Sequence, residues 1–237
     1  MTAGGPARER LALALDADDL VAALRTARRL RPWFGIAKVG LELFAAAGPE
    51  AVSALRAEGY RVFVDLKLHD IPTTVERAAR VIGGSGVAFT TVHTQGGEAM
   101  VRAAVAGAAA GADAAGMPPP CVLGVTVLTS ETSAPPATLM ARAALAKAAG
   151  CGGLVCAAAD LGTTRAAAPG LVTVVPGIRP AGTAPDDQAR AATPGAAIAS
   201  GGDILVVGRA VTAAPDPEAV AGALCTEVNS AISARPG

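Results

Sequence analysis

Short apolar runs alternate with helix-length amphipathic segments from one end of this chain to the other, and that alternation restricts the fold more than any other feature. Leu11–Leu15, Gly35–Val39, Arg61–Leu68, Val87–His93, Cys121–Leu128, Gly153–Cys156, Leu171–Val175 and Ile204–Val207 read as strands. Between them, Asp19–Leu30, Pro49–Glu58, Thr74–Gly83, Glu98–Ala110, Ala137–Ala149, Ala158–Ala167 and Pro194–Ser200 read as helices, and Pro217–Ser233 closes the chain. Strict βα alternation implies a parallel sheet with helices outside it. Eight such units in 237 residues fit a (β/α)8 TIM barrel, an α/β fold, as a single catalytic domain over residues 1–237. An open doubly wound sheet is the second reading. It requires a GxGxxG turn after the first strand, where Asp16-Ala17-Asp18-Asp19 stands instead. Two Pro/Gly-rich stretches read as loops: Gly111–Pro120 before the fifth strand, and Ile178–Asp187 after the seventh.

Composition narrows the classes of function. Hydrophobic residues make up 51% of the chain, enough for a large core. Lys plus Arg, at 20, equals Asp plus Glu, at 20, so no net field draws the chain to nucleic acid or to an anionic membrane. Aromatics at 3% are too few for a base-stacking platform. No apolar run approaches the ~18 residues of a membrane span. Met1–Arg10 lacks the apolar core of a signal peptide, so a cytoplasmic protein is expected. Cys121, Cys151, Cys156 and Cys225 form no CxxC pair, and with two histidines they suggest no zinc site.

Catalytic groups of a barrel gather at the C-terminal ends of its strands, and the polar residues here collect there. Strand 1 ends in Asp16, strand 2 carries Lys38, strand 4 ends at His93 and strand 5 at Thr129-Ser130. Strand 3 is the most informative, with Asp65-Leu66-Lys67-Leu68-His69-Asp70 ending an apolar run. Side chains alternate along a strand, so Asp65 and Lys67 share the inward face with Phe63. Burying an acid and an amine is costly unless they pair, and such pairs are rarely net stabilising. Their presence therefore points to chemistry. Strands 7 and 8 end in Pro176-Gly177-Ile178-Arg179 and Gly208-Arg209, at the place where barrels often bind phosphate. Two glycines allow close backbone approach there, and two arginines offer forked donors.

Several of these residues also have a purely structural role open to them. Asp16 is a possible cap for the helix near Asp19, and Lys38 a possible snorkelling lysine. His93 reads as a hydrogen-bonded structural residue, Thr129 and Ser130 as turn residues, and Gln188 as part of a solvated helix start.

The ordered motifs resemble the bacterial orotidine 5′-phosphate decarboxylase family over nearly the whole length. Those motifs are Leu-Ala-Leu-Asp16, Ala-Lys38-Val-Gly-Leu-Glu-Leu-Phe, and Phe-Val-Asp65-Leu-Lys67-Leu-His-Asp70-Ile-Pro-Thr-Thr74-Val. Then come Val-Thr-Val-Leu-Thr129-Ser, Val-Pro176-Gly-Ile-Arg179, Asp-Asp-Gln188-Ala-Arg and Val-Val-Gly208-Arg209-Ala-Val-Thr. The resemblance implies conversion of orotidine 5′-phosphate to UMP and CO2 in de novo pyrimidine synthesis, with no metal and no cofactor. It implies Lys67 as proton donor to C6 of the pyrimidine, within a charged network of Lys38, Asp65, Lys67 and Asp70. It also implies a homodimer in which Asp70, Ile71 and Thr74 reach the partner's site. Asp16 and Lys38 then contact the ribose, and Thr129 and Pro176 line the base pocket. Arg179, Gln188, Gly208 and Arg209 hold the phosphate under a loop over Ile178–Gln188. The alternative is a metal-dependent sugar-phosphate decarboxylase or aldolase on the same barrel, since related barrels share the DxKxxD pattern. Those relatives follow its last Asp with a small residue, whereas Ile71-Pro72-Thr73-Thr74 follows here. One departure from the family pattern is Thr94 after His93, where Ala is frequent.

Overall fold

The computed structural model describes residues 4–128, 131, 134–180 and 191–234. Eight parallel strands close into a barrel in sequence order: β1 Leu11–Leu15, β2 Ile36–Val39, β3 Arg61–Leu68, β4 Phe89–His93, β5 Cys121–Val125, β6 Gly153–Val155, β7 Val172–Val175 and β8 Ile204–Val207. The ring closes where Leu11, Ala12 and Leu13 pair with Leu205, Val206 and Val207. This is the TIM-barrel fold expected from the alternation. Helices on the outside are α1 Leu20–Leu30, α2 Leu41–Ala47, α3 Pro49–Ala57, α4 Pro72–Gly84, α5 Gly97–Ala114, α6 Pro136–Ala148, α7 Leu161–Ala167, α8 Pro194–Ala199, α9 Arg209–Thr212 and α10 Pro217–Ser233.

Parallel strands covered on both faces read as continuous apolar runs, and all of β1 is buried accordingly. Inside the barrel, Ala12, Ile36, Phe63, Phe89, Leu123, Val174, Ile204 and Val206 form one cluster. The small Ala12 and Ala14 leave room for Phe63 and Phe89, whose rings meet edge to face at 6.0 Å. Below them the Arg61 guanidinium lies 4.8 Å from the centre of the Phe89 ring, at the start of β3. The interior is therefore filled at the bottom.

The sequence misplaces several element ends. Strands β4, β5 and β6 are shorter than their apolar runs, although Ala88, Thr126 and Cys156 just outside them still donate to carbonyls of the neighbouring strands. Helices α2 and α9 and a 3-10 helix over Gly5–Arg10 are additional. Asn229 on α10 ties down that 3-10 segment, accepting from the Ala7 amide at 2.8 Å and donating to the Gly4 carbonyl at 3.2 Å. The stretch expected to be a loop from Gly111 is helical as far as Ala114. Packing is the reason. A Cβ at Gly111 would sit 1.8 Å from the Arg80 carbonyl oxygen of α4, and one at Gly107 would sit 2.2 Å from that of Glu76. The two helices pack backbone on backbone, and this packing outweighs the low helix propensity of glycine.

A Gly111→Ala substitution is expected to lower stability by about 1–3 kcal/mol through overpacking, although alanine is the better helix former. The midpoint of urea unfolding, read at constant slope, measures it.

Candidate active site

A cavity of about 540 Å³ opens at the C-terminal ends of the strands. Its deep wall is apolar, with Phe63, Val125, Val155, Val174 and Val206. Four cations line it, Lys38, Lys67, Arg179 and Arg209, together with three carboxylates, Asp16, Glu42 and Asp65. The charges are not mixed at random. Lys38, Asp65 and Lys67 stand on β2 and β3, whereas Arg179 and Arg209 follow β7 and β8. In a closed ring of eight, β3 and β7 lie on opposite sides.

Asp65 is the centre of the first group. Lys67 Nζ lies 3.0 Å from each of its carboxylate oxygens. Lys38 Nζ lies 3.8 Å from Asp65 Oδ2 and 3.4 Å from Asp16 Oδ1. The side chains of Asp65 and Lys38 are nearly buried, at 13% and 12% exposure, while Lys67 is a third exposed toward the cavity. Asp16 is not the helix cap. That role falls to Asp19, which accepts from the amides of Val21 and Ala22. Asp16 is thereby left to pair with Lys38 at the rim.

Simple alternation does not describe how Lys67 reaches Asp65. Residues two apart on a regular strand are separated by about 6.6 Å along it. Here the pairing with β4 slips: Val64 pairs with Thr90, and the next pair is Leu68 with Val92. Four steps on β3 therefore span two on β4. Lys67 sits in this bulge with φ +50°, the one non-glycine residue of positive φ among the described residues. Bulges beside active sites re-aim side chains, and this one folds the ammonium back onto the carboxylate.

The other candidates are placed as follows. Pro176, Gly177, Arg179, Gly208 and Arg209 all line the cavity. Gly177 has φ +77°, which side-chain-bearing residues rarely adopt, so glycine is required where β7 turns into its loop. Beyond it, the Arg179 amide donates to the Ala192 carbonyl and the Ala192 amide to the Gly177 carbonyl. These bonds hold the two ends of the intervening segment together at the cavity mouth. Thr129 and Gln188, and most of the expected Ile178–Gln188 loop, lie outside the described residues. Asp70, Ile71 and Thr74 are exposed on the β3–α4 segment and are not among the residues lining this cavity. Asp70 Oδ1 accepts from the Ile71 amide. No group of three or more His, Cys, Asp or Glu able to hold a metal ion occurs among the described residues, and none of their helices is long and apolar enough to cross a membrane.

One lining residue, Glu42, and one residue behind the wall, Thr91, escaped the sequence reading. Glu42 arrives on α2, a helix that reading did not contain. Thr91 is buried behind Asp65, to which its hydroxyl donates at 3.0 Å. Counting by two from Phe89 on β4 places Thr91 on the inward face, a signal available in the sequence but unused. His93, next on that face, has the structural role expected. Its Nδ1 accepts from the Gln95 amide, and its ring stacks on His69 at 5.4 Å.

Burial, then the neighbouring His69, holds His93 below the ordinary histidine pKa. The folded state thus binds this proton less readily than the unfolded chain. Its contribution to stability is complete above the unfolded value of about 6.5 and is lost as pH falls from there through the folded value. Urea midpoints are expected to fall between pH 7.5 and 5.5, and by less in His93→Gln.

Comparison with known proteins gives a consistent set of similarities. A family model described as Orotidine 5′-phosphate decarboxylase / HUMPS family matches residues 9–224. An orotidine 5′-phosphate decarboxylase of Anaeromyxobacter sp. (strain K) is 50% identical over 227 residues, covering 91% of this chain and 96% of that protein. One from Moorella thermoacetica is 44% identical over 234 residues, covering 94% and 93%. The crystal structure of orotidine 5′-phosphate decarboxylase from Lactobacillus acidophilus superposes with a TM-score of 0.78 at 35% identity, covering 93% of this chain and all of that one.

Proposed function

The chain belongs to the orotidine 5′-phosphate decarboxylase / HUMPS family, and from that membership we infer a carboxy-lyase that converts orotidine 5′-phosphate to UMP and CO2 in pyrimidine biosynthesis. One observation carries the assignment within the family. The Asp65-held ammoniums on β2 and β3 share one apolar-walled cavity with the arginines following β7 and β8, and β7 lies across the ring from β3. The substrate carries two anionic groups, a carboxylate on the base and a phosphate at the far end of the ribose, and the cavity offers cations at both walls.

The chemistry follows from these positions. The C6–carboxylate bond breaks, CO2 leaves and the electron pair stays on C6. That pair lies in the plane of the ring, where π delocalisation helps little. The Lys67 ammonium stabilises the developing charge and then transfers its proton to C6. The resulting amine regains a proton from solvent. Asp65, 3.0 Å from the ammonium through both oxygens, aims it. Asp16 and Lys38, paired at the rim, fit the ribose hydroxyls, and Pro176 fits the base. Arg179, Arg209 and the backbone of Gly177 and Gly208 fit the phosphate. Family membership, not position, assigns Thr129 to the base and Gln188 to the phosphate.

We further read residues 1–237 as one catalytic domain, cytoplasmic and acting as a homodimer without a cofactor. The exposure of Asp70, Ile71 and Thr74 supports a role across a subunit interface, with Asp70 completing the network of Lys38, Asp65 and Lys67 in the partner.

Purified protein is expected to consume orotidine 5′-phosphate, followed by loss of its ultraviolet absorbance, with EDTA present throughout. Activity that chelation abolishes and a divalent ion restores would favour the metal-dependent alternative. Lys67→Ala is expected to lower kcat on the order of 10³–10⁴-fold, while UMP affinity stays within about ten-fold. Parallel losses in both would make Lys67 a binding residue.

Mixing Lys67→Ala with Asp70→Ala subunits tests the shared site. Each variant alone is expected to be nearly inactive, and exchanged heterodimers are expected to regain one intact site each. Confirmed exchange without recovery would mean that each site is built from one chain.

A further inference from the structure

Strand β4 places a polar side chain behind Asp65 that the chemistry above leaves without a role. Thr91 is fully buried and stands two residues after Phe89, on the face that looks into the barrel. Its Oγ1 accepts from the Lys67 backbone N–H at 2.8 Å and lies 3.0 Å from Asp65 Oδ1. A hydroxyl has one proton. With the Lys67 amide already donating to the oxygen, that proton goes to the carboxylate, so the direction of both bonds is fixed.

The Lys67 amide needs such a partner. The slip in pairing between Val64 and Leu68 takes it out of the regular ladder with β4. A left-handed lysine costs roughly 1–2 kcal/mol against the extended form, and it persists only where its surroundings hold it. Thr90 cannot substitute, because alternation turns it to the other face of β4.

We propose that Thr91 is a positioning residue for Lys67. One hydroxyl sets the backbone conformation from which the lysine leaves the strand and orients the carboxylate that receives its ammonium. Both ends of the Lys67–Asp65 pair are thus referenced to a single rigid point on the neighbouring strand. The proposal rests on the reading of Lys67 as proton donor.

The test compares Thr91→Val, which removes the hydroxyl at nearly constant volume, with Thr91→Ser, which keeps it. Thr91→Val is expected to lower kcat on the order of 10–100-fold. KM and UMP affinity are expected to stay within about three-fold, since the arginine wall is untouched. Thr91→Ser is expected to retain kcat within about three-fold. Hydrogen exchange at the Lys67 amide, followed by NMR, gives a reading independent of turnover. It should accelerate at least about ten-fold in Thr91→Val and stay near wild type in Thr91→Ser. Unchanged kcat or unchanged exchange in Thr91→Val overturns the proposal. So does equal damage from Thr91→Ser, which would make the methyl group the important part, or a loss confined to KM. If Thr91→Val does not fold, Thr91→Ala makes the same comparison. A wild-type enzyme without turnover removes the assigned reaction instead, and the exchange measurement then still decides whether Thr91 holds Lys67.

Discussion

Asp65 lies between two ammonium groups, Lys67 at 3.0 Å and Lys38 at 3.8 Å, with little of its side chain exposed. A carboxylate so placed is tolerable only while its partners stay in position. At an effective dielectric near 20, one charge pair at 4 Å is worth about 4 kcal/mol, and losing a partner leaves an uncompensated charge that costs several kcal/mol. The arrangement works equally in the other direction. Without Asp65, two ammoniums would repel each other inside one small cavity. The bulge in β3, the left-handed backbone at Lys67 and the hydroxyl of Thr91 all serve to keep these charges together. Replacing the group with apolar residues would suit stability at least as well, so its retention is best explained by what the charges do.

The surroundings transmit position to that centre from two directions. From below, the packed interior of Phe63 and Phe89 above Arg61 gives β3 and β4 a firm seat. From outside, α4 is clamped to α5 at Gly107 and Gly111, where backbone meets backbone. Helix α4 begins at Pro72, immediately after the exposed stretch from His69 to Ile71. The close helix pair therefore fixes where the chain leaves the barrel after Lys67, and the stack of His69 on His93 holds its first step.

Most of this architecture is legible in the sequence, and the parts that are not share a physical cause. The barrel follows from periodicity, and the cavity follows from the rule that barrel sites lie at the C-terminal ends of strands. Asp16, Lys38, Asp65, Lys67, Pro176, Arg179, Gly208 and Arg209 were all found by reading strand ends, and all line the cavity. Three things were not legible. Helix α5 passes Gly111 because a contact with a distant helix outweighs a local glycine signal. The bulge breaks the period-two rule at Lys67, and no residue there announces a left-handed backbone. Thr91 looks like one more β-branched residue in Phe-Thr-Thr-Val-His. Its importance appears only when β4 is aligned against the slipped part of β3. Each failure lies where a long-range contact overrides a local preference, and two of the three are at the site itself.

The distribution of charge also bears on how the work of catalysis is divided. Enzymes lower barriers by about 8–23 kcal/mol over the uncatalysed reaction, and a single lysine at a developing carbanion supplies only a fraction of that. The remainder must come from binding energy realised elsewhere on the substrate and from orientation already built into the site. The arginine wall, with Arg179 after β7 facing β3 and Arg209 after the neighbouring β8, is suited to the first. In the proposed function it grips a group that takes no part in bond breaking, so its full interaction would hold the base against Lys67. The near wall supplies the second. Lys67, Asp65 and Thr91 hold one another by hydrogen bonds, so in the proposed reaction little reorganisation would remain when charge develops at C6. A flexible lysine on a regular strand would present the same charge but would have to be ordered during the reaction. The strained backbone at Lys67 is the structural expression of that difference: its cost is met on folding, not in the transition state.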